Sequence, residues 1–230
     1  MFVKKIITTM LLSFLFSSQS SAESYPNPYE IKSEFVQEMD SAATAQSREV
    51  ALRRERLLKV KALMDEDLNI GKANEVFLKN LMNRYSANSI DELLLSVDTV
   101  PVGIIIAVAA KESKWGTVEP MEKARNPFGL RCFTLGCGVK DSSSDMNNVY
   151  SELKVFNSLV DAVRYFSKNI NVNSEFAEFR KERLAMRERG EYLTSLPLAE
   201  HLSSFSITNE SYGSELREII HNNKLYYLDD

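Results

Sequence analysis

The clearest pattern along the chain is the run from Val102 to Ala110, where every residue is apolar or glycine. A helix that is apolar all round belongs inside a protein. Pro101 suits its first turn, and Lys111-Glu112-Ser113-Lys114-Trp115-Gly116 follows where it must surface. Upstream, Ser33 to Asp65 places Val50, Leu57, Leu58 and Met64 near one face among arginines and glutamates, which predicts one or two amphipathic helices with a solvated charged face. A further helix is expected from about Lys72 to Tyr85. Ser89-Ile90-Asp91-Glu92 has the form of a capping box opening another, from Ile90 to about Ser96. Downstream, Val149, Leu153, Val155 and Phe156 suggest a short hairpin. Helices resume with Leu159, Val163, Phe166 and Ile170 at helical spacing, then over Glu175–Arg189, Leu198–Ser203 and Tyr212–Asn222.

Composition narrows the class. With 230 residues, 44% hydrophobic and 26% charged, the chain is an ordinary globular mixture, which disfavours disorder, collagen and a multi-span membrane protein. Eight glycines and six prolines are too few turn signals for an all-β fold. A net charge of -4 without a one-sign block disfavours a nucleic-acid binder.

The N-terminus carries Lys4-Lys5, the apolar Ile6–Phe16 and then small residues up to Ala22, the layout of a secretory signal peptide cut before Glu23. The apolar stretch is well short of the ~20 residues a spanning helix needs. Export to a periplasmic or extracellular space is therefore expected, and it changes the reading of Cys132 and Cys137, which enclose Phe133-Thr134-Leu135-Gly136. In an oxidising compartment they would form a disulfide worth roughly 2 kcal/mol in chain entropy. A zinc site is the rival, although His201 and His221 lack ligand spacing to each other or to the cysteines; two free thiols are the third reading.

Glu112 is the candidate for chemistry. Apolar surroundings and the negative end of a helix dipole both oppose its ionisation, so it would hold a proton near neutral pH as a general acid must, with Trp115 as an apolar wall. Lysozyme tunes a carboxylic acid in the same manner. The plainer reading is a core helix that surfaces at Glu112.

Ala110-Lys111-Glu112-Ser113-Lys114-Trp115-Gly116-Thr117, followed by Asn126-Pro127-Phe128-Gly129-Leu130, resembles the glucosaminidases of glycoside hydrolase family 73, which cut peptidoglycan. Val97 to Pro101, Arg131 to Gly138 and Phe176 to Arg180 are similar to its Bax-like branch. The resemblance covers about Val97 to Ile220. It implies an α+β, predominantly helical fold: a lysozyme-like core with a small β-hairpin lobe over 97–230, preceded by a signal peptide (1–22) and an N-terminal helical extension (23–96).

The resemblance also implies Glu112 as general acid, Glu152 as the second carboxylate with Asp141 and Asp145 as rivals and the substrate's own acetamido group as the alternative to a carboxylate, and Trp115, Asn126, Phe128, Phe205 and Tyr212 against substrate. Asn126 and Phe128 have an equally ordinary structural reading. The family carries a tyrosine where this chain has Phe205, which cannot donate a proton; Tyr212 either compensates or, as we read it, packs. The implied activity is an exported endo-β-N-acetylglucosaminidase acting on peptidoglycan strands without metal or organic cofactor, with a protein partner for the N-terminal helices. Its rivals are a lytic transglycosylase and a non-catalytic glycan-binding scaffold.

Overall fold

The computed structural model describes residues 28–140, 151–205 and 211–229. Their order is α1 (Pro28–Asp65), α2 (Lys72–Tyr85), α3 (Ile90–Ser96), α4 (Val102–Ser113) and α5 (Glu119–Lys123), then β1 (Arg131–Cys132), β2 (Gly138–Val139) and β3 (Glu152–Lys154). Helices α6 (Leu159–Val172), α7 (Ala177–Glu188), α8 (Ser195–Ala199) and α9 (Tyr212–Asn222) complete it, joined or ended by 3-10 turns at Ser174–Phe176, Glu200–Phe205 and Leu225–Leu228. The architecture is α+β, predominantly helical and lysozyme-like. The segment 1–22 expected to be a signal peptide and the loop acids Asp141 and Asp145 lie outside the described residues. Among the described residues, no helix is long and apolar enough to cross a membrane.

Local chemistry sets the element ends. The Ser89 hydroxyl accepts the Glu92 N–H at 3.1 Å, and the Glu92 carboxylate accepts the N–H of Asn88 at 2.7 Å, one residue before the partner a reciprocal box would use. Ser158 caps α6 in the same way through the Asp161 N–H. The expected hairpin is instead a three-stranded antiparallel sheet in the order β1-β3-β2. Both short strands flanking the cysteine ring pair with β3, with Cys132 opposite Glu152 and Gly138 opposite Lys154. Only glycine fits at 138, where a Cβ would fall 1.9 Å from the Leu153 carbonyl oxygen.

Helix α4 forms the centre, with every residue from Val102 to Ala110 buried. Pro101 offers no capping side chain. The Gly103 N–H donates instead to Asp229 near the chain's end at 2.8 Å, and the same carboxylate accepts the Ser195 N–H at 2.7 Å. An anion at a helix N-terminus is favourable for both the open N–H groups and the dipole.

Segment 33–65 is one helix, and its buried stripe differs from the expected one. Met39, Ala42, Ala43, Val50, Leu57 and Val60 face inward, whereas Leu58 and Met64 are 46% and 42% exposed. The first half of α1 shares a hydrophobic core with α4, α6 and α9. Its second half packs with α2 and α3 around Leu57, Leu78, Leu81 and Leu93. The boundary at 96 is thus not a division of the main core, which includes Phe35 and Met39.

Two inward positions are filled by arginine. Arg54 continues the α1 stripe between Val50 and Leu57, and Arg183 continues that of α7 between Phe179 and Met186. Both serve Asp98, 2% exposed in the α3–α4 connection, together with Arg187 at 3.0 Å. Burial raises the Asp98 pKa, but Arg183, Arg187 and Arg54 outweigh it and hold the carboxyl below its ordinary range. Arg183 also donates to the carbonyls of Leu95 and Thr99 and to Asn171, so its buried guanidinium, brought down to about 10, stays cationic. Removing one partner of a buried ion network leaves the others uncompensated. Asp98→Asn should therefore lower unfolding free energy by about 3–5 kcal/mol in urea titration; a change below about 1 kcal/mol would show that the arginines are satisfied by carbonyls alone.

Candidate active site

Helix α4 ends at Ser113 because three successive residues take left-handed backbone angles: Lys114, Trp115 and Gly116, with φ of 50°, 62° and 78°. Positive φ is costly for lysine and tryptophan and persists only where surroundings impose it. The Ala110 carbonyl accepts the N–H groups of both Lys114 and Trp115, and the Ser113 hydroxyl accepts the Gly116 N–H at 2.8 Å. A Cβ on Gly116 would meet the Phe35 ring at 2.9 Å. The turn is thereby fixed from the α1 side, and it sets where Glu112 and Trp115 emerge.

Glu112 is half-buried and accepts a hydrogen bond from the Tyr212 hydroxyl at 2.8 Å. Burial is the main influence on its acidity and raises its pKa above the ordinary carboxylate range; the Tyr212 hydrogen bond and the charge of Lys111 pull the other way without cancelling it. Burial, followed by the neighbouring Glu112 charge, raises the phenol pKa in turn, so Tyr212 keeps its proton. Lys111 pairs with Glu215 on α9 and lies 5.2 Å from the Tyr212 ring centroid. The arrangement is a carboxyl with raised proton affinity and a fixed donor, able to deliver a proton to a bound oxygen.

Tyr212 is therefore not only a packing residue, contrary to the sequence reading. Its ring is 1% exposed and lies 5.6 Å from that of Phe205, so it meets Glu112 rather than offering a stacking face. Phe205 in turn packs edge-on against Phe166 at 5.7 Å. Phe128, 2% exposed, stacks on Phe166 at 4.4 Å inside the core, where it cannot stack on a ligand. Asn126 is also corrected to a structural role. Fully buried, it donates to the carbonyls of Leu130 and Lys154 and accepts the Leu130 N–H, tying the 126–130 turn to β3. Trp115 is partly exposed and packs edge-on against Phe35 at 6.0 Å.

Cys132 and Cys137 are disulfide-bonded, with Cα atoms 6.2 Å apart. Although Glu152 lies beside them, bonded sulfurs offer no thiolate to a metal. Glu152 is 4% exposed, and its two carboxylate oxygens accept the N–H groups of Gly138 at 2.8 Å and Gly136 at 3.2 Å. Those bonds hold its pKa below the ordinary carboxylate range, the opposite of Glu112. A clamped, ionised carboxylate is a weak base, so Glu152 is placed as the anchor of the disulfide ring rather than as a group free to react. The sequence signal for this was available in Gly136 and Gly138, whose unblocked N–H groups flank Cys137.

Residues 87–225 match the glucosaminidase family, described as mannosyl-glycoprotein endo-beta-N-acetylglucosaminidase. The chain is also similar to Protein bax of Escherichia coli (strain K12), 27% identical over 160 residues, which are 66% of this chain and 56% of that protein. The match thus spans just over half the length of that relative. No solved structure matches the chain.

Because the Tyr212 hydroxyl favours the ionised form of Glu112, Tyr212→Phe should move the Glu112 titration to higher pH, as read by carbon-13 NMR of the side-chain carboxyl. A shift to lower pH would contradict the assigned hydrogen bond. Glu152→Gln should cost about 1–2 kcal/mol in stability and speed reduction of the Cys132–Cys137 bond by dithiothreitol; unchanged stability and reduction rate would remove Glu152 as the ring's anchor.

Proposed function

The chain belongs to the glucosaminidase family over residues 87–225, and on that premise we propose that it is an exported peptidoglycan hydrolase of the endo-β-N-acetylglucosaminidase type. It cleaves the β-1,4 bond on the reducing side of N-acetylglucosamine. The observation that carries this reading is Glu112: a carboxyl at the end of a buried helix, raised in pKa by burial and hydrogen-bonded by Tyr212. In the proposed reaction, Glu112 donates its proton to the glycosidic oxygen as the C–O bond breaks, and Tyr212 steadies the carboxylate that remains.

The oxocarbenium-like centre needs a second group. With both Glu152 oxygens engaged by the disulfide ring, we assign that role to the acetamido oxygen of the substrate sugar, which closes on the anomeric carbon until Glu112 directs water to it. Export is supported by the signal-peptide pattern over residues 1–22 and by the disulfide, which suits an oxidising compartment.

Digestion of purified peptidoglycan followed by mass analysis of the product ends tests the assignment. New reducing ends at N-acetylglucosamine are expected, lost by at least about a hundredfold in Glu112→Gln with melting unchanged, since general acid catalysis is worth about 10²–10⁴-fold and the substituted amide keeps the shape without the proton. Anhydro product ends would identify a lytic transglycosylase. Binding without cleavage would identify a glycan-binding scaffold, and Glu112→Gln within threefold of wild type would remove the residue from the mechanism.

A further inference from the structure

Ser113 and Trp115, next along the chain from Glu112, open on a groove of about 490 Å³ whose lining does not include Glu112. Its other wall is α1, which lies outside the family-matched segment 87–225. Phe35, Met39 and Trp115 give the groove an apolar floor, and Glu34, Glu38 and Glu122 line it with Arg125, while Lys32 reaches the Trp115 ring.

Several surface glutamates are neutralised within the chain. Glu49, Glu55, Glu119 and Glu178 each pair with a basic side chain. Among the described residues, the carboxylates of Glu34, Glu38 and Glu122 have no hydrogen-bond or ion-pair partner, and Glu34 and Glu38 are four residues apart on one helix face, an arrangement that costs a few tenths of a kcal/mol. The Trp115 ring meanwhile already holds an ammonium group: Lys32 Nζ sits 4.6 Å from its centroid. A cation over an indole face is attracted by the ring's quadrupole, and a carboxylate rim strengthens that preference.

An aromatic face that accepts an ammonium, an apolar floor and unneutralised carboxylates are together complementary to a short peptide with a primary amine and small apolar side chains. We infer that this groove is a second binding site, separate from the position where Glu112 acts, for the amine-bearing peptide substituents of the substrate polymer. The inference rests on the peptidoglycan reading above. Helix α1 is then a recognition element for peptide-substituted strands, and the ligand ammonium takes the place of Lys32 on the Trp115 ring.

Trp115 is the single tryptophan of the chain, so its fluorescence reports this groove alone. The probe is a synthetic N-terminally acetylated alanyl-glutamyl-lysyl-alanine tetrapeptide, whose lysine side chain is then its one free amine, titrated into the full chain beside its twin acetylated on that amine as well. A saturable change with the free amine is expected, and a response at least about tenfold weaker with the acetylated twin and in the Glu34→Gln/Glu38→Gln double variant, whose melting should be unchanged. No saturable change at low millimolar peptide, or equal responses from both peptides or from both proteins, would overturn the site. Digestion of glycan strands stripped of peptide separates this from the hydrolase reading. The double variant should cut them at the wild-type rate, whereas failure of the wild-type protein to cut either these or intact peptidoglycan overturns the hydrolase assignment and leaves the peptide titration to be judged alone.

Discussion

An apolar helix with no polar face has to be surrounded, and α4 imposes that requirement on the whole chain. Burial of Ile104, Ile105 and Ile106 at 0% exposure needs neighbours on every side, which α1, α8, α9 and the final 3-10 turn supply. Its backbone ends still need partners. At the N-terminus the Asp229 carboxylate arrives from the other end of the sequence, and at the C-terminus Ser113 and Ala110 close the turn. Glu112 is thereby set where the core meets water, which is the physical origin of its raised proton affinity.

The same burial explains why charge enters the interior beside α4. The connection leading into it carries Asp98, and three arginines from α1 and α7 converge on that carboxylate. Such a network adds little net stability over a well-packed apolar one, but it is intolerant of losing a member. Its effect here is positional: it fixes the second half of α1 and the length of α7 against the entry to the buried helix. The first half of α1 is held by apolar packing at Phe35 and Met39, and its second half combines apolar packing at Leu57 and Val60 with ion pairing at Arg54. The groove beside Trp115 depends on the first of these.

Glu112 and Glu152 have the same side chain and opposite tendencies. Glu112 is dominated by burial with one hydroxyl donor, whereas Glu152 is dominated by backbone N–H groups from the disulfide ring. Hydrogen bonds to the charged form stabilise it, and burial stabilises the neutral form. The first arrangement suits proton donation and the second suits holding a loop. The ring that Glu152 anchors presents Phe133 and Leu135 to solvent at 70% and 66% exposure, and the carboxylate beneath keeps that short loop in one shape.

Much of this was determined by the sequence itself. An uninterrupted apolar run can only be interior, Ser89 and Ser158 can only begin helices that follow them closely, and these local rules place α2, α3, α4 and α9 where the pattern predicts. The motif around Glu112 likewise marks the one acid that a buried helix must deliver to its end. What the tertiary structure alone decided were the partners. Periodicity treats Arg54 and Arg183 as surface charge, because nothing local reveals a buried aspartate more than 40 residues away from one and more than 80 from the other. It cannot tell that the Tyr212 hydroxyl would meet Glu112 across a separation of 100 residues, nor that Asn126 and Glu152 would be consumed by backbone groups. Hydrophobic patterning specifies which face turns inward; it carries no record of which polar group waits there, since that depends on how distant segments pack.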